Sequence, residues 1–357
     1  MSPGVRIIAE AGVNHNGSLD MAKDLVRAAA RGGADAVKFQ TFRAALLATK
    51  AAPKAAYQLR STPRDESQLQ MLARLELDED AHKALSAFAR DAGIEFMSSA
   101  FDVASQDMLV RSCGIRTIKI PSGELTNAVL LLDAAQRGLP VLLSTGMATL
   151  DEIRFALGVL AFGYAGGNDR PCRDAFRHAF DSAEGKRSLD KVTLLHCVSA
   201  YPAPESETNL LAMDTLQGEF GLAVGFSDHS IGICLPIAAA ARGAAVIEKH
   251  LTLDRSLAGP DHAASLEPDE FAEMVGCVRA AVSALGDGRK IPQPSERDTA
   301  LAARQSLIAI TAIRRGEPFT TQNLSTARPG TGISAAEYWD WIGRTAHRDF
   351  AAGEVIA

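Results

Sequence analysis

Lysines, histidines, serines and carboxylates stand where short apolar runs of this sequence give way to polar turns. Lys38 in AVKFQT and Lys119 in TIKIPS arrive among Ser99, Ser122, Ser144, Ser199 and Ser227. Ammonium groups with hydroxyl donors make a cradle for a phosphate or phosphoester, which needs both charge and donors aimed at oxygen. The same lysines could instead form internal ion pairs with Glu10, Glu124 or Glu248, or serve as a Schiff-base nucleophile activated by burial beside the other lysine. His229 in FSDHS and His250 in EKHLT close two further runs, with Asp261 and His262 following in GPDHAAS. Two imidazoles on one rim could share a divalent cation with positions open to substrate oxygen, and Mn2+, Mg2+, Co2+ or Zn2+ would each suit so loose a site. Glu10, Gln40 and Tyr201 complete the polar set. Burying several such charges is costly unless they pair or bind something.

Such residues need a scaffold that brings them to one rim. Eight β-rich runs recur at 6–12, 36–41, 95–101, 117–122, 141–146, 192–199, 223–229 and 245–252, most followed by a segment of helical period. The helices include DMAKDLVRAAARGG, DAHKALSAFARDAG and DEFAEMVGCVRAAVSALG, opened by acidic residues and several ended by glycine. Eight βα units close a (β/α)8 TIM barrel, in which strand C-termini carry the chemistry. A doubly wound open sheet is the alternative, weakened because no GxGxxG turn follows the first strand. The barrel is expected over residues 1–285, a Pro- and charge-rich linker over 286–300 and a small module over 301–357. Residues 42–78 are long for a barrel connection and read as a lid or substrate loop. Residues 163–190 precede the sixth run, on the opposite face, and receive no chemistry. His15, His82, His178 and His347 read as structural or solvated, His196 as core, and Trp339 and Trp341 as packing anchors of the small module.

The chain of 357 residues carries a net charge of −6 and no long basic run, which argues against nucleic acid or an anionic membrane as partner. No apolar stretch approaches a membrane span. Five scattered cysteines without a CxxC spacing point to reduced thiols, and MSPGVRIIAE leaves no room for a signal peptide; a cytoplasmic protein is expected.

The strings IIAEAGVNHNGS, ADAVKFQTF, IKIPSGE, LLSTGMATL, LLHCVSAYPAP, VGFSDHS, VIEKHLTLDR, GPDHAASLEP and RPGTGIS closely resemble the sialic acid synthase family. The resemblance implies a (β/α)8 barrel followed by a C-terminal antifreeze-like (SAF) domain. It implies condensation of phosphoenolpyruvate with an open-chain N-acetylmannosamine-type sugar, with C–C bond formation, C–O cleavage and phosphate release. N-acetylneuraminate is the first expectation for the product, N,N'-diacetyllegionaminate the alternative, and pseudaminate a third. Carried over by motif, phosphoenolpyruvate would meet Lys38, Ser99, Lys119, Ser122, Ser144, Ser199 and Ser227. The sugar would meet Glu10, Gln40, Phe101, Tyr201 and Asp261, with Glu124 and Glu248 ordering the rim. His229 and His250 would hold the divalent metal, Mn2+ first with Mg2+ or Co2+ as substitutes, which polarises the aldehyde. Glu10 or Asp261 would position or deprotonate the water that traps C2, while Lys38 and Lys119 stabilise the leaving phosphate. A domain-swapped homodimer is implied, with Arg328 of one chain reaching the acyl group in the partner's site. The chain departs from the family at Ser99-Ala100, where Thr-Pro is common, at Ser199, where some members carry Asn, and in the length of 163–190. A Schiff-base aldolase and a non-enzymatic binding protein are the readings from other classes.

Overall fold

Strictly alternating side chains decide how the apolar runs assemble. A computed structural model of the chain describes residues 4–55, 57–63, 65–166 and 170–357. In it β1 (Arg6–Gly12), β2 (Ala36–Thr41), β3 (Glu95–Ala100), β4 (Ile118–Ile120), β5 (Val141–Ser144), β6 (Val192–His196), β7 (Ala223–Asp228) and β8 (Val246–His250) pair in sequence order. The pairing is parallel throughout, and β8 returns to β1 to close the barrel. The open doubly wound alternative is excluded by that closure. Strands β3 to β8 end one to three residues before the apolar runs that carry them, so Phe101, Ser122, Ser199 and His229 follow the ladder and line the rim.

Inside the barrel, Ile8, Ala36, Met97, Leu142, Leu195 and Val246 form one packed apolar layer. Two residues further along five of those strands come Glu10, Lys38, Ser99, Ser144 and Glu248, so the same inward face turns from apolar to polar at its C-terminal end. The outward faces bury Ile7, Val37, Ile118, Leu143, Leu194 and Ile247 against the helices.

The surrounding helices begin where their caps predict. Ser18 accepts from Met21 N at the start of Leu19–Arg31, and Asp78 accepts from Ala81 N at Glu79–Asp91. Glu267 and Glu270 form a reciprocal cap with Pro268 at the first position of Pro268–Ala284. The 42–78 connection contains the helical pieces Ala44–Leu47, Gln58–Ser61 and Gln68–Leu75. In 163–190, of which 167–169 lie outside the described residues, Arg173–Asp181 packs on Leu150–Tyr164.

The chain divides into two compact units, one ending at Gly286 and the other spanning Asp287–Ala357. In the second, β9 (Ser306–Ala309) and β10 (Leu324–Ala327) pair antiparallel over a core of Leu307, Ile313, Phe319, Leu324, Phe350 and Ile356. Part of the stretch expected as linker is helical, at Pro294–Glu296 and Arg297–Ala303. Trp341 packs against Phe319, but Trp339 is 75% exposed and meets only the neighbouring Tyr338 ring among the ring contacts of the described residues, a correction to its reading as a packing anchor. The five cysteines are free thiols. Among the described residues no helix is long and apolar enough to cross a membrane.

Candidate active site

A cavity of about 490 Å³ opens at the C-terminal ends of the barrel strands. Glu10, Gln40, Ser99, Phe101, Lys119, Ser122, Glu124, Ser144, Ser199, Tyr201, Ser227, His229, Glu248, His250 and Asp261 all line it. The barrel register explains the convergence: Glu10 is level with Lys38 on one side and His250 on the other, Ser99 with Lys119, and Ser227 with Glu248. Between Glu10 and Gly12 the pairing with β2 slips by one residue, and Gly12 takes a φ of +53°. Such a bulge re-aims neighbouring side chains, and glycine meets that backbone conformation without strain. Gly146 is constrained by space instead: a Cβ there would collide with Ser199 Oγ and Ser122 Oγ.

Two of the expected residues are not among those that line it. Lys38 does not line the cavity; its Nζ lies 2.5 Å from Glu10 Oε2, 3.6 Å from Glu248 Oε2 and 3.1 Å from Ser99 Oγ. The ion-pair reading of this lysine is therefore realised, against Glu10 and Glu248, which both line the cavity. Arg328 lies in the C-terminal unit, where its Nε donates to the Ala303 carbonyl. Lys119 faces the cavity, donating to Ser144 Oγ at 2.8 Å with Glu248 Oε1 at 3.5 Å.

Two buried ammonium groups and two buried carboxylates thus form a charge-balanced quartet. Burial pushes Glu10 above the ordinary carboxyl range although Lys38 opposes it. Burial works against Lys38, yet Glu10 and Glu248 hold its ammonium on. For Glu248 burial is outweighed by Lys119, Lys38 and the Ser227 hydroxyl, which bring the carboxyl down to about 2. Lys119 is shifted down by burial and by the neighbouring Lys38. Asp261 is raised to about 7 by burial and by the negative charge of Glu10, which leaves it able to exchange a proton near neutrality.

His229 and His250 stand with ring centroids 5.5 Å apart. His229 Nδ1 bonds the Val198 carbonyl at 2.7 Å, which directs its Nε2 elsewhere. His250 Nδ1 is buried with no hydrogen-bond partner among the described residues. Burial lowers both imidazoles, keeping them neutral, and neutral imidazole is the ligating form. These features fit a divalent cation held by two protein nitrogens. Among the described residues no cluster of three or more His, Cys, Asp or Glu side chains surrounds such an ion, so water or substrate would fill the remaining positions.

His262, which follows Asp261 in sequence, does not reach the cavity. Its ring nitrogens bond Thr252 Oγ1 at 2.7 Å and Asn16 Oδ1 at 3.3 Å, tying the loop after β8 to the loop after β1. Asn14 adds bonds to the Leu251 carbonyl and Ser265 Oγ, so VNHNGS is a structural strap around Glu10. His15 and His82 are buried and hydrogen-bonded, and His178 and His347 are exposed. His196 bonds the Thr208 carbonyl and is half-buried behind the rim.

The structure also brings in residues that the sequence left unplaced. Tyr57 packs against Tyr201 with ring centroids 4.9 Å apart, and Tyr201 in turn lies 4.3 Å from His229. Gln58 and Gln68 line the cavity beside an apolar wall of Val13, Phe42, Leu47, Met71, Leu72 and Phe101. Their signal was the unusual length of 42–78, which marks a region without assigning its side chains.

A closed parallel barrel whose strand ends gather ammonium, hydroxyl, carboxyl and imidazole groups into one cavity is the catalytic mouth of a barrel enzyme. The NeuB family profile matches residues 25–290 and the SAF domain profile residues 304–357, and the chain belongs to the NeuB family of sialic-acid-type synthases. It is 45% identical over 350 residues to the N,N'-diacetyllegionaminic acid synthase of Campylobacter jejuni, covering 98% of each chain. The N,N'-diacetyllegionaminic acid synthase of Legionella pneumophila is 43% identical, over 98% of this chain and 92% of that one. Among solved structures, the N-acetylneuraminic acid synthetase of Leptospira borgpetersenii aligns with a TM-score of 0.66 and 33% identity, over 83% of this chain and 90% of that one.

Proposed function

We propose that this enzyme condenses phosphoenolpyruvate with open-chain 2,4-diacetamido-2,4,6-trideoxymannose, giving N,N'-diacetyllegionaminate and phosphate. One observation carries the reaction class: a single cavity holds a buried lysine among hydroxyl donors, a buried carboxyl and a pair of imidazoles. The choice of sugar is supported by the higher identity to the two diacetyllegionaminic acid synthases than to the neuraminic acid synthetase. N-acetylneuraminate, which the motifs put first, becomes the second reading, and pseudaminate stays third. The apolar wall from 42–75 favours the same choice, since a 6-deoxy, diacetamido sugar offers methyl groups where N-acetylmannosamine offers hydroxyls.

In this mechanism Lys119 and the hydroxyls of Ser99, Ser122, Ser144, Ser199 and Ser227 receive the phosphate and carboxylate of phosphoenolpyruvate. Lys119 already shares its charge with Glu248, and its field strengthens on a phosphate that leaves with both bridging electrons. Lys38, paired with Glu10 and bonded to Ser99, holds both in place. Glu10, Gln40, Phe101, Tyr201 and Glu124 orient the sugar for attack by C3 of the enol on its aldehyde. Asp261 takes a proton from the water that adds at C2. A divalent cation, Mn2+ by preference and Mg2+ or Co2+ as substitutes, when held by His229 and His250 supplies Lewis acidity at the aldehyde. The site is completed in a domain-swapped homodimer by Arg328 of the partner subunit.

Turnover kinetics with each sugar, followed by mass spectrometry of the product, test the assignment. The expected result is a nine-carbon diacetamido acid formed with a kcat/KM at least about tenfold above that for N-acetylmannosamine, the scale of a methyl-for-hydroxyl mismatch in an apolar pocket. A preference for N-acetylmannosamine would replace the sugar assignment. Because Lys119 is shifted down, a Schiff base is the competing chemistry. Borohydride trapping in the presence of substrate should leave the protein mass unchanged.

A further inference from the structure

Lys249 and Asp228 sit in the strands that carry the two histidines but point away from the cavity. Alternation along β7 and β8 sends Ser227, His229, Glu248 and His250 to the interior and Asp228 and Lys249 to the opposite face, where both are fully buried. Their backbones are register partners, the last of the β7–β8 ladder. Lys249 Nζ lies 2.6 Å from Asp228 Oδ2 and donates to the Ser230 carbonyl at 2.5 Å. The Asp228 carboxylate also accepts from Ser230 N–H at 2.9 Å and Ser230 Oγ at 3.0 Å. One carboxylate therefore closes a turn around His229, and one ammonium ties that turn to the residue preceding His250.

Past this point the two histidines part company. The His229 carbonyl accepts from Ala203 N, whereas the His250 carbonyl accepts from Leu266 N, so each is continued by a different loop. An ion pair this deeply buried adds little to stability, because desolvation offsets most of its attraction; an apolar pair of the same size would serve the fold as well. What an apolar pair cannot do is fix direction, and direction is what two ligands contributed by different strands require.

We propose that Asp228, Ser230 and Lys249 form a positioning brace that sets the spacing of His229 and His250 and thereby the affinity for a divalent cation. The inference rests on the reading of those histidines as the metal pair. None of the three brace residues lines the cavity, so they are positioning residues and not catalytic ones.

The test is a Mn2+ titration of chelator-stripped, full-length protein, with free Mn2+ read by its electron paramagnetic resonance signal and the fold checked by circular dichroism. Lys249→Met alone strands the Asp228 carboxylate, and the paired replacement Asp228→Asn with Lys249→Met removes both charges together. The paired variant should keep the wild-type spectrum and melting behaviour yet bind Mn2+ at least about tenfold more weakly, as loss of an outer-shell partner does elsewhere. Ser230→Ala, which removes one hydroxyl and no charge, should weaken binding by a smaller factor, and it carries the test if the paired variant fails to fold. Wild-type affinity in folded variants would overturn the brace while leaving the metal pair standing. A wild-type protein that binds no Mn2+ would overturn both together.

Discussion

At the scale of single residues, the proposed reaction would divide its chemistry between Lys119 and Asp261. Replacing Lys119 by Met removes the one ammonium group that lines the cavity among its described residues, and leaves Glu248 with Lys38 and the Ser227 hydroxyl. Phosphate release should fall by about 100-fold or more, the cost of losing one donor preorganised for developing charge. Asp261 makes a prediction about pH. A base works as its carboxylate, which accumulates only above about 7, so kcat/KM should rise with pH below that value and flatten above it. Asp261→Asn should lower the plateau and remove the rising limb. Stability carries the opposite sign. Folded Asp261 keeps a proton that the unfolded chain has released, so its contribution is complete below the ordinary carboxyl range and is lost as pH rises toward 7. Thermal melts of Asp261→Asn should lack that decline.

The elements that carry these residues fall into two kinds. Barrel strands present their side chains by period-two alternation, and the 42–75 segment presents its wall through short helices. Leu72, half-buried on Gln68–Leu75, faces the cavity beside Phe101. Leu72→Gln should cut the preference for the diacetamido sugar over N-acetylmannosamine by about tenfold while leaving the KM for phosphoenolpyruvate unchanged. Competition between the two sugars in one reaction measures that ratio directly. The same division explains what was legible in the sequence. Glu10, Ser99, Ser144 and Glu248 could be placed because each follows an inward apolar residue by two positions in a strand whose run is unmistakable. Lys38 obeys the same rule, but alternation gives a face and not a partner, and only the folded barrel shows its ammonium paired with Glu10. Tyr57 and Met71 had no such periodicity to announce them. His262 shows a related limit: next to Asp261 in sequence, it turns away to bond Thr252 and Asn16, a long-range tie that no local pattern records.

For the molecule as a whole, each unit has its own core, and the barrel contains every expected site residue except Arg328. If Arg328 completes a site in the partner subunit, two inactive variants should rescue one another. Lys119→Met and Arg328→Ala proteins, mixed and allowed to exchange subunits, should regain activity that neither has alone, because one site of each heterodimer is intact. Size-exclusion chromatography should return a dimer for both. The central claim is that this cavity joins phosphoenolpyruvate to a diacetamido sugar with help from a divalent cation. Its most direct test is phosphate release by the purified protein with phosphoenolpyruvate, Mn2+ and 2,4-diacetamido-2,4,6-trideoxymannose, with and without EDTA. The account predicts release that requires both substrates and stops on chelation. Release that persists undiminished in EDTA, or none with either this sugar or N-acetylmannosamine, would contradict it.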